Sequence, residues 1–260
     1  MDNLNNILKG FDDRRSDYKK MVWDTDAVAE CFEPCAKEIL LNGYFLINNE
    51  YIIDLGSIEL YYHEEAGPIK DYIMYHRKER ISSRIKEFNN GDLPYFDLGN
   101  MNLHQSGVDV TFENREKEYR ASFLIRSYRV LRKSDDIAND IIPFDPHSTH
   151  IFDDMFYEGI SLSDTKIEWR IGDKGKEMDE PIFRINVPMY LEKDKKYVKL
   201  TKEEYDNNHD ILSIDRGLAF DVKESDVITF RTNGKEYIRD PRPWRFCLKG
   251  IYEKSKEDGR

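Results

Sequence analysis

The sequence predicts an α+β, β-rich chain with a mixed or antiparallel curved sheet and flanking helices. Three observations lead there. Runs rich in β-branched and aromatic residues recur between polar turns, as in GYFLIN (43–48) and EYIIDLGSIELYYHE (50–64). Residues 24–42 carry a helical apolar stripe. The chain has 16 Tyr, 14 Phe and 3 Trp in 260 residues, enough apolar surface to offset chain entropy and exclude a disordered polymer.

In the helical run DTDAVAECFEPCAKEILLN, Asp24 or Thr25 can cap the start. Ala27, Val28, Cys31, Cys35, Ile39 and Leu40 form the stripe, and Asn42-Gly43 stops it. Pro34 inside the run predicts a kink or a break. In the second strand run, Gly56 predicts a bulge. Residues 68–87 are polar and predict a loop leading into a short helix. GVDVTFE (107–113) and YRASFLIRSYRVL (119–131), separated by NREKE, predict a hairpin. Residues 147–160 read as a capped helix with Ile151, Met155 and Phe156 inward. The remainder alternates short strands, IEWRI, PIFRINVPMY and DVITFRT, with charged turns. No repeat or long linker divides the chain, so residues 1–260 read as one domain. Residues 1–22, charged throughout, read as a candidate flexible N-terminal extension.

Net charge is −11, from 40 Lys+Arg and 51 Asp+Glu, but the layout is uneven. Basic residues outnumber acidic ones six to three over 70–87, seven to two over 115–133, and nine to five over 231–260. Residues 135–180 reverse this, with thirteen acidic against four basic. No run of about 18 apolar residues exists, so no membrane span is expected, and the N-terminus lacks the apolar stretch of a secretory signal. Three Cys, two of them on one helix face, point to free thiols in a reducing cytoplasm.

Several chemistries lack their signature. There is no GxxxxGK[ST], no GxGxxG and no nucleophile elbow. His63 beside Glu64 and Glu65, and His147-x-x-His150 beside Asp153 and Asp154, lack zinc-site spacing, so no metal site is expected. A metal-dependent hydrolase using His147, His150 and Asp154 is the weakest reading. What remains is Ser57-Ile58-Glu59-Leu60-Tyr61-Tyr62. Strand alternation puts Glu59 and Tyr61 on one face and Ile58, Leu60 and Tyr62 on the other. A carboxylate beside a phenol, backed by an apolar face, suits a positioned general base. Exposed strand faces also carry Glu and Tyr without any chemistry.

Six ordered segments resemble the alkyladenine (3-methyladenine) DNA glycosylase family of base-excision repair. Residues 24–46 look like its opening helix and first strand. Ile58-Glu59-Leu60-Tyr61 is similar to its Glu-x-Tyr strand, and Asp71-Tyr-Ile-Met-Tyr-His76 to its Asp…His segment. Val108-Asp109-Val110-Thr111 falls where that family has an Asn-containing strand. Phe123-Leu124-Ile125-Arg126 looks like its arginine-bearing strand, and PRPWRFCLKG (241–250) like its C-terminal segment.

The resemblance implies a monofunctional hydrolase that flips a damaged purine, alkylated or deaminated, from double-stranded DNA and cleaves its N-glycosidic bond without a cofactor. Glu59 would activate the water and Arg126 would hold Glu59 ionised. Tyr61 and His76 would stack on the base, with Tyr75 and Tyr95 as further rings and Asp109 against the pocket. Arg77, Lys78, Trp244, Arg245 and Lys249 would meet the DNA. The sequence departs from the family in its long Glu59–His76 stretch, in Asp109 where the family has Asn, and in LPYFDLGNMNLHQSG (93–107) where the family has a Tyr-rich strand. The alternative is a catalytically silent binding module on the same scaffold, recognising a nucleic acid, a nucleotide-like ligand or a protein. Nothing in the sequence speaks to oligomeric state.

Overall fold

The computed structural model describes residues 1–71, 73–74, 76, 93–104, 107–137, 142–145, 150–151, 165–177, 179–192, 201–207 and 228–257. Most of the 68–87 segment, where a loop leading into a short helix is expected, and nearly all of the helix expected at 147–160 lie outside them.

The fold is a β-rich α+β arrangement built on one curled antiparallel sheet with few helices. Helices α1 (Asp2–Tyr18) and α2 (Thr25–Lys37) precede strands β1 (Gly43–Ile47) and β2 (Tyr51–Glu64). Then come β3 (Met101–His104), β4 (Gly107–Thr111), β5 (Tyr119–Arg132), β6 (Ile167–Ile171) and β7 (Phe183–Glu192). A short helix α3 (Lys202–Asn207), β8 (Ile228–Thr232), β9 (Lys235–Cys247) and α4 (Lys249–Glu257) complete the described elements. The sheet order is β3-β4-β5-β2-β1-β6. Beside β1, the same edge of β2 also takes β9, which pairs β7 and β8 as well. Two left-handed asparagines, Asn48 and Asn49, turn β1 into β2, and Asn233-Gly234 does the same between β8 and β9. Asn and Gly are the residues that accept this conformation at least cost. Among the described residues, no helix is long and apolar enough to cross a membrane.

The expected N-terminal extension is instead a docked helix. Leu4, Leu8, Phe11 and Arg15 recur at helical spacing and are buried. The stripe is one residue wide, so the surrounding charges hide it in a composition reading. Arg15 fixes the helix further, donating to Tyr62 Oη at 2.5 Å and to Glu64 Oε1 at 2.8 Å. Helix α2 is capped by Asp24, whose side chain accepts from the Ala27 amide at 2.8 Å. It runs through Pro34, and the irregularity comes one turn later, as a π-helical turn over Glu38–Asn42. Cys31 and Cys35 lie buried on its inner face. Burial pushes their thiols up, to about 12 and about 11.

The sheet's central feature is a double irregularity. Along β2 and β5 the partners run Leu55↔Tyr128, Ser57↔Ser127 and Ile58↔Ile125, so Gly56 and Arg126 each fall outside the ladder. Before it, Ile53 and Leu55 face the helices; after it, Ile58, Leu60 and Tyr62 do. One extra residue reverses the alternation. Asp54 and Glu59, five positions apart, therefore share the outer face, where an unbroken strand would place them on opposite sides. Gly56 is required there, because a Cβ would lie 2.6 Å from the Phe144 ring and 2.7 Å from Ser127 Oγ.

Candidate functional site

Glu59 sits mid-sheet on the face opposite the helices, between Leu124 of β5 and Arg245 of β9 in register. It is 1% exposed, yet it faces polar partners. Arg126 grips it two-pronged, Nε to Oε2 at 2.8 Å and Nη2 to Oε1 at 2.5 Å. Arg245 adds two bonds to Oε2, from Nε at 2.9 Å and Nη2 at 2.7 Å. Tyr61 donates its hydroxyl to Oε1 at 2.7 Å and accepts from Arg126 Nη2 at 3.0 Å. The irregularity makes this geometry. Arg126 is the extra residue on β5, and that displacement aims it back at the carboxylate.

Burial alone would push the Glu59 carboxyl up, but Arg245 and Arg126 outweigh it and hold its pKa at about 2. The Tyr61 hydroxyl moves well above its ordinary value through burial and the adjacent carboxylate. Arg126 shifts upward because Glu59, Tyr61 and Asp109 outweigh its desolvation.

Two consequences follow for chemistry. A carboxylate offers about four lone-pair sites, and Glu59 already receives five donor contacts. It holds no free acceptor site for a water proton, and at a pKa of about 2 it attracts protons weakly near neutrality. The arginines, by contrast, are not enclosed. Their side chains stay 30% and 35% exposed. Two cations meet Glu59 at that opening, and Asp109 acts on Arg126 as well.

Asp109 lies in the same cross-strand row, through Asp109↔Leu124↔Glu59. It stands two strands away, roughly 10 Å, with Arg126 responding to both acids. A second carboxylate in this row does not raise Glu59, whose pKa is lowered by Arg245 and Arg126.

His76 and Tyr95 belong to a different cluster. The His76 ring stacks on Phe96 with centroids 3.8 Å apart, and its Nδ1 lies 2.5 Å from Glu113 Oε1. Arg120, fully buried, donates to Glu65, Glu113 and the carbonyls of Leu93 and Pro94, with Tyr95 lying over its guanidinium at 4.0 Å. Arg120 pairs with His63, four residues along β2 from Glu59, roughly 13 Å in extended chain. His76 and Tyr95 thus staple segment 93–96 to the sheet, while Tyr61 is the ring beside Glu59 among the described residues.

Trp244 is corrected as a DNA contact. It is 2% exposed, packs in the core and donates Nε1 to the Thr25 carbonyl at 2.9 Å. Arg245, one residue on along β9, points the other way to Glu59. Lys249 is on the surface, 68% exposed. Tyr75, Arg77, Lys78, His147, Asp153 and Asp154 lie outside the described residues. His150 pairs with Asp145 at 2.9 Å. The His63–Glu65 trio points three ways: His63 Nδ1 accepts from the Asp71 amide, Glu64 meets Arg15 and Lys19, and Glu65 meets Arg120. Sequence reading missed Arg245 as the second arm on Glu59. Strand alternation from the buried Trp244 and Phe246 places it on the polar face, but only the β2–β9 pairing shows what it meets.

No family model, curated protein or solved structure matches this chain.

Proposed function

We propose that the outer sheet face around Glu59 binds a nucleic-acid phosphate, with Arg126 and Arg245 as the contacting cations, Tyr61 as the adjoining ring and Glu59 as their anchor. The observation that carries this reading is the pair of arginine side chains, each about one-third exposed, on one buried carboxylate. A guanidinium fixed along one edge keeps its other N–H groups for a phosphate oxygen, with little side-chain entropy left to lose. The basic runs at 115–133 and 231–260, which supply these two arginines, support the same reading.

The test is fluorescence anisotropy with labelled single- and double-stranded oligonucleotides, titrated against salt. Binding at low salt, weakening as salt rises, is expected. Arg126→Lys and Arg245→Lys keep the charge but remove the fork, and each should weaken binding several-fold with an unchanged circular-dichroism spectrum. Absence of binding at low salt, or lysine variants that bind like the parent, would defeat the proposal.

A second reading is N-glycosidic hydrolysis of a damaged purine in DNA, and the convergence of Glu59, Tyr61 and Arg126 favours it. It requires Glu59 to release a donor when a flipped nucleotide and water arrive. Free base released from alkylated or deaminated duplex, and lost in Glu59→Gln, would support it. Release that persists in that variant would remove Glu59 as its base.

A further inference from the structure

Strand β6 ends the path β3-β4-β5-β2-β1-β6, and among the described residues it pairs with β1 alone. Two bonds that bracket this ladder fix the direction of its backbone groups. The Asn48 amide donates to the Lys166 carbonyl at 2.9 Å, and the Gly172 amide to the Asn42 carbonyl at 3.1 Å. Antiparallel bonding alternates residue by residue. Positions 166, 168, 170 and 172 therefore bond toward β1, and Ile167, Trp169 and Ile171 direct their amides and carbonyls to the outer edge.

The two faces of the strand differ. Trp169 is buried and packs edge-on against Phe45, with centroids 4.8 Å apart. On that side Trp169 and Ile167 join the core cluster that includes Leu4 and Leu8 of α1. Ile171 shares this face by alternation, yet it is 50% exposed. The opposite face carries Lys166, Glu168 and Arg170, and Glu168 is ion-paired to both cations of its own strand. Charges of one sign along an edge would repel a second copy of that edge. Alternating signs repel or attract according to register.

An edge that pairs antiparallel with its own copy must set outward-bonding residues opposite one another, so the two-fold axis passes through a residue. Centring on Glu168 sets Glu168 against Glu168 of the second copy, and Lys166 against Arg170. Centring on Arg170 sets two arginines against each other. Centring on Trp169 sets Glu168 against Arg170 of the second copy, twice by symmetry. These are non-hydrogen-bonded positions, where cross-strand side chains come closest. The same register sets Ile167 opposite the exposed Ile171 and satisfies the outward amides and carbonyls of Ile167, Trp169 and Ile171.

We propose that β6 pairs edge to edge with β6 of a second copy of this chain, antiparallel and centred on Trp169, to form a two-fold dimer. The charge order of the unpaired edge, self-complementary in that register, carries the proposal. One five-residue strand is a small contact, so the dimer is weak and concentration-dependent. The proposal is independent of the reading of the Glu59 face.

Sedimentation equilibrium of the full chain from about 1 to about 200 μM tests this, a range that brackets micromolar dissociation constants. A monomer–dimer equilibrium is expected. Glu168→Lys sets like charges opposite one another twice and should raise the dissociation constant roughly tenfold. Arg170→Glu should do the same. The double variant Glu168→Lys/Arg170→Glu restores opposite charges in the Trp169 register and should return the constant to near that of the parent. Ile171→Pro removes an outward amide that β1 does not use and should also weaken the dimer, with an unchanged circular-dichroism spectrum. Arg126→Lys should leave it unchanged. A monomer throughout the range, single charge variants that dimerise like the parent, or a double variant no better than the singles would overturn the proposal.

Discussion

Asp54 and Glu59 are two solutions to one problem, separated by a single bulge. Each is a buried carboxylate on the outer face of β2, and each is held by cations from distant strands or loops. Around Asp54 the cations are buried with the acid: the side chains of Arg129 and Lys174 are 1% and 0% exposed, and Arg129 also donates to the Ile137 carbonyl at 2.6 Å. Around Glu59 the acid is buried but the two arginine side chains are about one-third exposed. The first cluster is an internal tie between the sheet and segment 174–176. The second ends at solvent and can exchange part of its hydrogen bonding with an incoming anion. Charge composition alone does not distinguish them; the position of the cations does.

The comparison breaks most visibly at Asp54. Asp54→Asn leaves Arg129 and Lys174 enclosed without their counter-ion, and removing one partner of a buried pair costs about 3–5 kcal/mol. Urea unfolding should show a loss of that size, or no folded protein. A loss under about 1 kcal/mol would mean that water reaches the cluster.

Glu59→Gln should cost less, about 1–3 kcal/mol, because Arg126 and Arg245 can turn their open edges to water. Its pH dependence is the sharper signature. The folded carboxyl ionises at about 2 against 4.5 for the free side chain. The unfolded state therefore binds more protons between those values, and stability falls as pH drops through that window. The contribution, about 3 kcal/mol above pH 4.5 by linkage, should vanish from the acid limb in Glu59→Gln. An unchanged acid limb in the variant would show that other carboxyls control acid unfolding.

Much of this arrangement is legible in the sequence where the information is local. The β1 and β2 strands, the capped helix α2, the β4–β5 hairpin and the Gly56 bulge follow from periodicity and turn residues. The Glu59–Tyr61 face follows from strand alternation. Arg245 on Glu59 and Lys174 on Asp54 do not, because each depends on which segments pair after 100 residues or more of intervening chain. Helix α1 is hard to read for the opposite reason: its stripe of Leu4, Leu8, Phe11 and Arg15 is local but thin, and its last member is a charged residue that is buried. The family resemblance places His76 and Tyr95 as rings at the Glu59 pocket. A loop can carry a ring to either end of β5, and Arg120 with Glu113 decides which.

The bulge that sets Asp54 and Glu59 on one face can be tested at its glycine. Gly56→Ala places a methyl against Phe144 and Ser127, both well inside normal contact. Overpacking of this kind costs about 1–3 kcal/mol. Because Phe144 packs under Arg129 at 4.8 Å, the disturbance should reach the Asp54 side first. In a double-mutant comparison, Gly56→Ala should couple more strongly to Asp54→Asn than to Glu59→Gln. Equal coupling to both would mean that the two clusters move as one unit.

Tyr61→Phe is the smallest change expected. It removes one donor from Glu59 Oε1, but Arg126 Nη2 still satisfies that oxygen at 2.5 Å. A net loss of about 0.5–1.5 kcal/mol is expected, with the carboxyl still ionised at neutral pH because both arginines remain. The ring also stays in place to stack, so oligonucleotide binding should change little in Tyr61→Phe and fall in Tyr61→Ala. Equal binding by the two variants would confine the recognition surface to the two guanidiniums and leave the tyrosine as their internal brace.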